Sequence, residues 1–249
     1  MLLRAPSTPP ARTPTATTTR PSLTRTTLTT ALMTAPSQTS TMRTTTRTPN
    51  GDPPGGAPRR RHRRRRCPHG RGGSGKTTLT TALTAAFPGA QAFHLDDLIW
   101  NEPLYDWDQL YVDTLTQLRR AGSLDLVPDK WREHGREGSI RIPAGSPLVL
   151  VEGTGAGLAA VRSLIDAHVW VQTGDDVAER RGIKRDIAEG VNGDAEESVR
   201  FWHWWMAGER LFFAKDRPWQ RADVIVSGDA PAGVEPGEVA WTPGPLLPR

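Results

Sequence analysis

From residue 70 onward, apolar positions fall into short blocks separated by polar or glycine-rich turns. Lys76 to Ala86 (KTTLTTALTAA) reads as a helix, closed by Pro88-Gly89. Ala90 to Leu95 (AQAFHL) reads as a short buried strand that ends in Asp96-Asp97. Between Trp107 and Arg120, Leu110, Leu115 and Leu118 lie near one helical face, and Gly122 ends the helix. Val127 to Gly138 is polar and predicts a loop. Pro147 to Glu152 (PLVLVE) is the clearest strand and runs into GTGAG; Ala167 to Val171 (AHVWV) predicts another. Asp175 to Glu189 predicts a helix interrupted or kinked at Gly182. Asp194 to Lys215 predicts a long helix containing FWHWWMAGERLFF, whose aromatics read as core and helix-packing residues in preference to a base-stacking platform. Ala222 to Val226 (ADVIV) predicts a last parallel strand, and residues 230–249, with Pro and Gly throughout, a loose tail. Strands alternating with helices predict an α/β fold: a doubly wound parallel sheet with helices on both faces, binding at the C-terminal edge of its strands.

The N-terminal part has no such period. Residues 1–58 are rich in Thr, Pro, Ser and Arg and predict disorder, because they offer too little apolar surface to offset the entropy of ordering. Residues 1–66 hold 13 Arg and one acid (Asp52), a net +12, whereas residues 67–249 carry a net −7. The domain organisation read from this is a disordered segment 1–66, a folded domain 67–229 and a tail 230–249. The stretch lacks the apolar core of a secretory signal, and no apolar run approaches the ~20 residues of a membrane span. A lone cysteine, Cys67, excludes an internal disulfide and fits a reducing cytoplasm.

Seven arginines among residues 59–66 stand immediately before a glycine-rich loop. Three readings stay open. The run is a nucleic-acid contact, or a solvated charge run. Or it is mis-started or out-of-frame translation: CGT (Arg) read one base later becomes GTC (Val), and CAT (His) becomes ATC (Ile). The third reading arises because a buried strand is expected ahead of the loop and buried strands are Val/Ile-rich, whereas seven arginines cannot fill the centre of a sheet at tolerable cost, so the strand is expected to be absent.

The loop itself, Gly70 to Thr77 (GRGGSGKT), fits G-x-x-x-x-G-K-[ST]. Its glycines let successive N–H groups converge on one anion, and the following helix points its positive end at the same place. Gly70, Gly72, Gly73, Ser74, Gly75, Lys76, Thr77 and Thr78 are the candidate phosphate-binding residues. Lys76 would reach the β- and γ-phosphates, and Thr77 would offer a hydroxyl to Mg²⁺. At strand ends, Asp96 could accept a proton from a substrate hydroxyl, Asp97 could bind substrate or a metal-bound water, and Glu152 is placed to hold Mg²⁺ water. Arg180, Arg181, Lys184 and Arg185 form a cationic run that fits either an anion partner or pairing with neighbouring acids.

With these residues in view, the stretch from about Gly70 to Gly228 resembles the uridine kinase-like branch of the P-loop nucleoside and nucleotide kinases. The resemblance implies ATP in the loop over residues 70–78, with Mg²⁺ at Thr77 and Glu152. It implies Asp96, in LDDLIW, as catalytic base beside Lys76. An H-x-R element preceded by an aromatic maps to Trp131, His134 and Arg136 as nucleoside contacts. A lid R-…-R-D signature maps to Arg181, Arg185 and Asp186. The ribose-binding acid of the family is replaced by Asn101, and the tyrosine before H-x-R is replaced near Asp129. The implied reaction is ATP-dependent phosphoryl transfer to a hydroxyl of a nucleoside-like small molecule. The alternatives are an NTPase with a basic nucleic-acid-binding arm, and an inactive product.

Overall fold

The computed structural model describes residues 24–27, 64–229, 234–235 and 238–245. The disorder expected of residues 1–58 lies outside the described residues except at 24–27. The strands are β1 (Thr24–Thr27), β2 (Arg64–Gly70), β3 (Gln91–His94), β4 (Leu124–Leu126), β5 (Ile140–Ile142), β6 (Leu148–Glu152), β7 (Ala167–Gln172), β8 (Val224–Ser227) and β9 (Glu238–Pro243). The α-helices are α1 (Lys76–Ala86), α2 (Leu95–Leu98), α3 (Asp108–Ala121), α4 (Asp129–Glu133), α5 (Asp175–Glu189) and α6 (Ala195–Asp216).

One sheet has the order β1-β9-β8-β7-β2-β6-β3. Its five strands from β8 to β3 run parallel, and β9 and β1 extend it through antiparallel pairings. The strands are buried on both faces, and successive residues serve opposite layers. Leu148, Leu150, Val169, Val171, Val224 and Val226 pack with Leu79 and Leu83 of α1. Val149, Val151 and Phe93 pack with Leu115 and Leu118 of α3 on the other face. There, too, Trp170 and Ile225 meet Phe213 of α6. This is the mostly parallel, helix-covered α/β sheet that the alternation predicts.

The strand ahead of the glycine-rich loop is present, which corrects the expectation that arginines exclude it. Arg64–Gly70 lies mid-sheet between β6 and β7, and Arg65 and Arg66 are buried. Arg65 is accommodated by reaching past the core: its Nη2 donates to the Leu118 carbonyl, 3.4 Å away in the last turn of α3, where the helix dipole favours a cation. Its backbone N–H donates to Asp166 Oδ2 at 2.6 Å. The boundary expected at residue 66 therefore cuts through a central strand.

Four other expectations change. Residues 238–243, expected in a loose tail, form β9 against β8. The polar stretch expected as a loop holds α4, and the flanking segments form a two-stranded antiparallel sheet, β4–β5, whose Leu124, Ile140 and Ile142 join the core with Trp131. Asp96 lies in the short helix α2, one residue past the strand expected to end there. Helix α5 runs through Gly182 unbroken. The glycine serves close packing: a Cβ there would meet the ring of Trp202 at 1.9 Å. Helix α6 starts with a capping box in which Asp194 and Glu197 satisfy each other's backbone N–H.

Candidate active site

The C-terminal ends of β2, β3, β6 and β8 open on one cleft of ≈ 1350 Å³. Gly75, with φ 96°, turns the loop into α1, a conformation that favours glycine. Gly73 lies so close to α5 that a Cβ would meet the Ala178 carbonyl oxygen at 2.1 Å. The loop is thus wedged between α1 and α5. Thr173 Oγ1 donates to the Ser74 carbonyl at 2.9 Å, tying the loop to the end of β7. Residues 72–78 line the cleft, whereas Gly70 closes β2 behind it.

Lys76 Nζ donates to the Arg71 carbonyl at 2.7 Å across the loop. Burial lowers the Lys76 pKa, while Asp96, Glu152 and Glu209 oppose that shift. Thr77 Oγ1 stands 3.5 Å from both carboxylate oxygens of buried Glu152. His94 Nδ1 is 2.5 Å from Glu152 Oε1, and this bond raises the His94 pKa. Asp96 is exposed to the cleft, and partial desolvation by the surrounding protein raises its pKa against the opposing pull of Lys76. Gly153, past the end of β6, leaves the space that Asp96 uses: a Cβ there would stand 3.3 Å from Asp96 Oδ1.

Arg181 and Arg185 also line the cleft. Arg181 Nη1 donates to the Gly228 carbonyl at 2.8 Å, and Arg185 Nη2 to buried Asp186 at 2.6 Å. Asp97 and exposed Asn101 face the same space. Trp131, His134 and Arg136 do not line it. Arg136 Nη2 donates to Asp97 Oδ1 at 2.6 Å and lies over the Trp131 ring, 3.7 Å from its centroid. Trp131 Nε1 donates to the Asp97 carbonyl at 2.8 Å, and exposed His134 stands edge-on to Trp100. These three residues brace the Asp97–Trp100 segment from behind.

Sequence reasoning missed three features. Glu209, fully buried in α6, accepts the Gly72 N–H at 2.8 Å, and its pKa is raised by burial. His94 is the second partner of Glu152. The aromatic run of α6 divides: Phe201, Trp202, Trp204 and Trp205 all line the cleft, but Trp202 is buried while Phe201 and Trp204 are exposed. The sequence alone favours core packing over base stacking for all of them.

No family model matches the chain. A uridine kinase of Schizosaccharomyces pombe is 31% identical over 98 residues, a match covering 39% of this chain and 21% of that protein. A uridine kinase of Borrelia garinii is 25% identical over 145 residues, covering 52% of this chain and 69% of that protein. The structure entitled a possible uridine kinase from Bacillus stearothermophilus aligns over 66% of this chain and 88% of its own, at 19% identity and a TM-score of 0.42. The chain is thus similar in sequence to curated proteins named uridine kinase.

Proposed function

We propose that this chain is a P-loop kinase that transfers the γ-phosphoryl group of ATP to a hydroxyl of a nucleoside-like small molecule. One observation carries the reading: Lys76, the Thr77–Glu152 pair and Asp96 converge on a single cleft whose floor is the glycine-rich loop. The names of the matching relatives support it.

In this mechanism the backbone N–H groups of residues 72–77 cradle the phosphates, and Lys76 spreads charge developing on the transferred group. The hard oxygen donors of Thr77 and Glu152, 3.5 Å apart, fit Mg²⁺, which supplies charge neutralisation at the phosphates when bound. Asp96 accepts the acceptor's hydroxyl proton as the new P–O bond forms and the bond to the β-phosphate oxygen breaks. Its raised pKa makes it a better base than an ordinary aspartate. Arg181 and Arg185 close over the phosphates and exclude water. The working unit is a cytoplasmic domain that takes up the stretch from β2 to β8.

The nucleic-acid reading loses ground on one point. Arg65 and Arg66 are buried within the sheet and so are withheld from a phosphate backbone.

The test is the melting temperature of the full chain with and without ATP and Mg²⁺. A ligand held only by the folded state raises it. A rise in the wild type that is absent in Lys76→Ala, together with acceptor-dependent ADP release, is the expected result. No rise in the wild type would overturn the reading.

A further inference from the structure

The sheet order sorts the cleft into two sides. Gly228, at the end of β8, and Val239, on β9, lie on one flank of β2 and its loop. Asp96, just past β3, lies on the other flank. Arg181 is tied to Gly228, which places this lid cation on the β8 flank, the nucleotide's side under the kinase reading.

Helix α6 reaches the β3 flank through stacked rings. Tyr105 stacks on Phe212 with centroids 4.6 Å apart and meets Trp205 at 5.9 Å. Gly208 lets this contact form, because a Cβ there would meet Leu104 at 2.6 Å. Trp205 continues to Phe201 at 6.3 Å, and Phe201 to Trp204 at 5.5 Å. Phe201 and Trp204 remain 38% and 56% exposed, facing a cleft that Trp100 and Leu104 also line. Neighbouring Trp202 is only 3% exposed, held in the notch at Gly182. All four rings line the cleft, but packing at Gly182 accounts for Trp202 and not for Phe201 and Trp204.

Among the described residues, the basic groups lining the cleft are Lys76, Arg181 and Arg185, at the loop or lid, and His94, which bonds Glu152. On the β3 flank the acids Asp96, Asp97 and Glu102 also line it, and Arg136 is bound to Asp97. A phosphate or carboxylate on this flank would lie beside those acids, where the basic groups His94 and Arg136 are already engaged by Glu152 and Asp97.

Resting on the kinase reading above, we infer that Phe201, Trp204 and Trp205 form a stacking wall for the phosphoryl acceptor, and that the acceptor is an alcohol bearing a flat aromatic ring and no anionic group. The wall opens into the same cleft as Asp96, so a ring stacked on it leaves a hydroxyl on the same molecule free to approach that carboxylate. A face-on ring on an indole needs no hydrogen-bond match, so the wall accepts a nucleobase or another aryl group alike.

The test measures binding to the full chain by calorimetry, with and without ADP and Mg²⁺. The probes are uridine, ribose, 2-phenylethanol and 3-phenyllactate, with wild type, Phe201→Ala and Trp204→Ala. Ring-bearing neutral probes are expected to bind at least about tenfold more tightly than ribose or phenyllactate, and Trp204→Ala to weaken them by about tenfold or more. The ATP-induced rise in melting temperature stays unchanged in both variants. Binding of uridine alone identifies the ring as a nucleobase, and binding of 2-phenylethanol as well identifies a general aryl site. The inference is overturned if ribose binds as tightly as uridine, if no ring-bearing probe binds, or if both variants bind as wild type does. It is also overturned if Trp204→Ala changes only the oligomeric mass, which would make the wall an interface between copies. Failure of the kinase reading has a different signature: no thermal response to ATP, whatever the rings bind.

Discussion

Glu209 holds Gly72. Its Oε2 accepts the Gly72 backbone N–H at 2.8 Å, and its Oε1 is 4.0 Å from Arg71 Nε. Arg71 also bonds Asp175 at the start of α5, so two consecutive loop residues join the glycine-rich loop to α5 and α6 together. The carboxylate acts by positioning the loop. Glu209→Gln, which keeps an acceptor, should leave the KM for ATP within about threefold of wild type, while Glu209→Ala should raise it about tenfold or more. Steady-state kinetics beside melting curves checks this. Equal KM changes in both variants would mean that the accepted bond is not what matters.

Asp96 as proton acceptor predicts a divided result. Asp96→Asn should lower turnover by about 10²–10⁴, yet keep the rise in melting temperature on adding ATP. Because desolvation raises the Asp96 pKa, the acid limb of the pH–rate profile should lie above the ordinary aspartate range. Turnover near wild type in Asp96→Asn would move the base elsewhere.

Replacing a mid-helix glycine by alanine ordinarily stabilises a helix by about 1 kcal/mol. At Gly182 the sign should reverse. The added Cβ would stand 1.9 Å from the buried Trp202 ring, so α5 and α6 must part or the indole must move. Gly182→Ala should therefore lower the melting temperature by several degrees. An unchanged or higher value would show that the helix pair yields freely.

The rings of His69 and His168 stack below the loop, 5.4 Å apart, and neither is exposed to solvent. The N–H groups of Gly155 and Gly157 both face the His69 ring, at 2.9 Å from Nε2 and 3.0 Å from Nδ1. A neutral imidazole has one acceptor nitrogen, so only one of these bonds is made at a time. Burial first, and each ring's cationic or imidazole neighbours next, hold both pKa values down, that of His168 to about 3. Between about pH 6.5, the unfolded value, and about pH 3, the unfolded chain takes up protons that folded His168 refuses. Stability therefore falls as pH falls through this window. Asp96 and Glu209, with raised pKa values, act in the opposite sense, but equally in wild type and in a His168 variant. His168→Leu should lose less melting temperature than wild type between pH 7.5 and 5, measured in parallel scans. An equal loss would remove His168 from the acid sensitivity.

Arg65 and Arg66 hold strand positions that valine fills more cheaply, since burying an ionic group gains less than good apolar packing of similar shape. The double variant Arg65→Val, Arg66→Val should melt higher than wild type and keep its response to ATP. A lower melting point would show that the guanidinium contacts, such as Arg65 with Leu118, outweigh their desolvation.

The same arginines show where sequence reading stops. Leu148–Glu152 is legible because every residue is buried and apolar up to its final acid. The glycine-rich loop is legible because its chemistry is local. In β2 the fold overrides composition: pairing with β6 and β7 fixes a strand whose residues alone predict solvent. Strands β4 and β5 have three residues each and place a charged residue between two apolar ones, too short a pattern to separate from a loop. Glu209 reads like any helix-surface acid, since its partner, Gly72, lies 137 residues away. The α6 aromatics could be sorted into buried and exposed sets only once Gly182 had found Trp202.

The placement of β2 also has a consequence in time. The loop's strand is made early in synthesis, yet its flanking strands come much later, and its contact with Asp166 spans 101 residues. A Val-rich strand could collapse onto early neighbours while it waited. A run of guanidinium groups stays hydrated until β6 and β7 exist to enclose it. The glycine-rich loop is therefore among the last parts to assemble, and its folding waits on closing long chain loops, a slow class of step. Until then β6 and β7, largely buried in the folded chain, lack their central partner. The period in which they are open to association with other chains is set by the charge of β2.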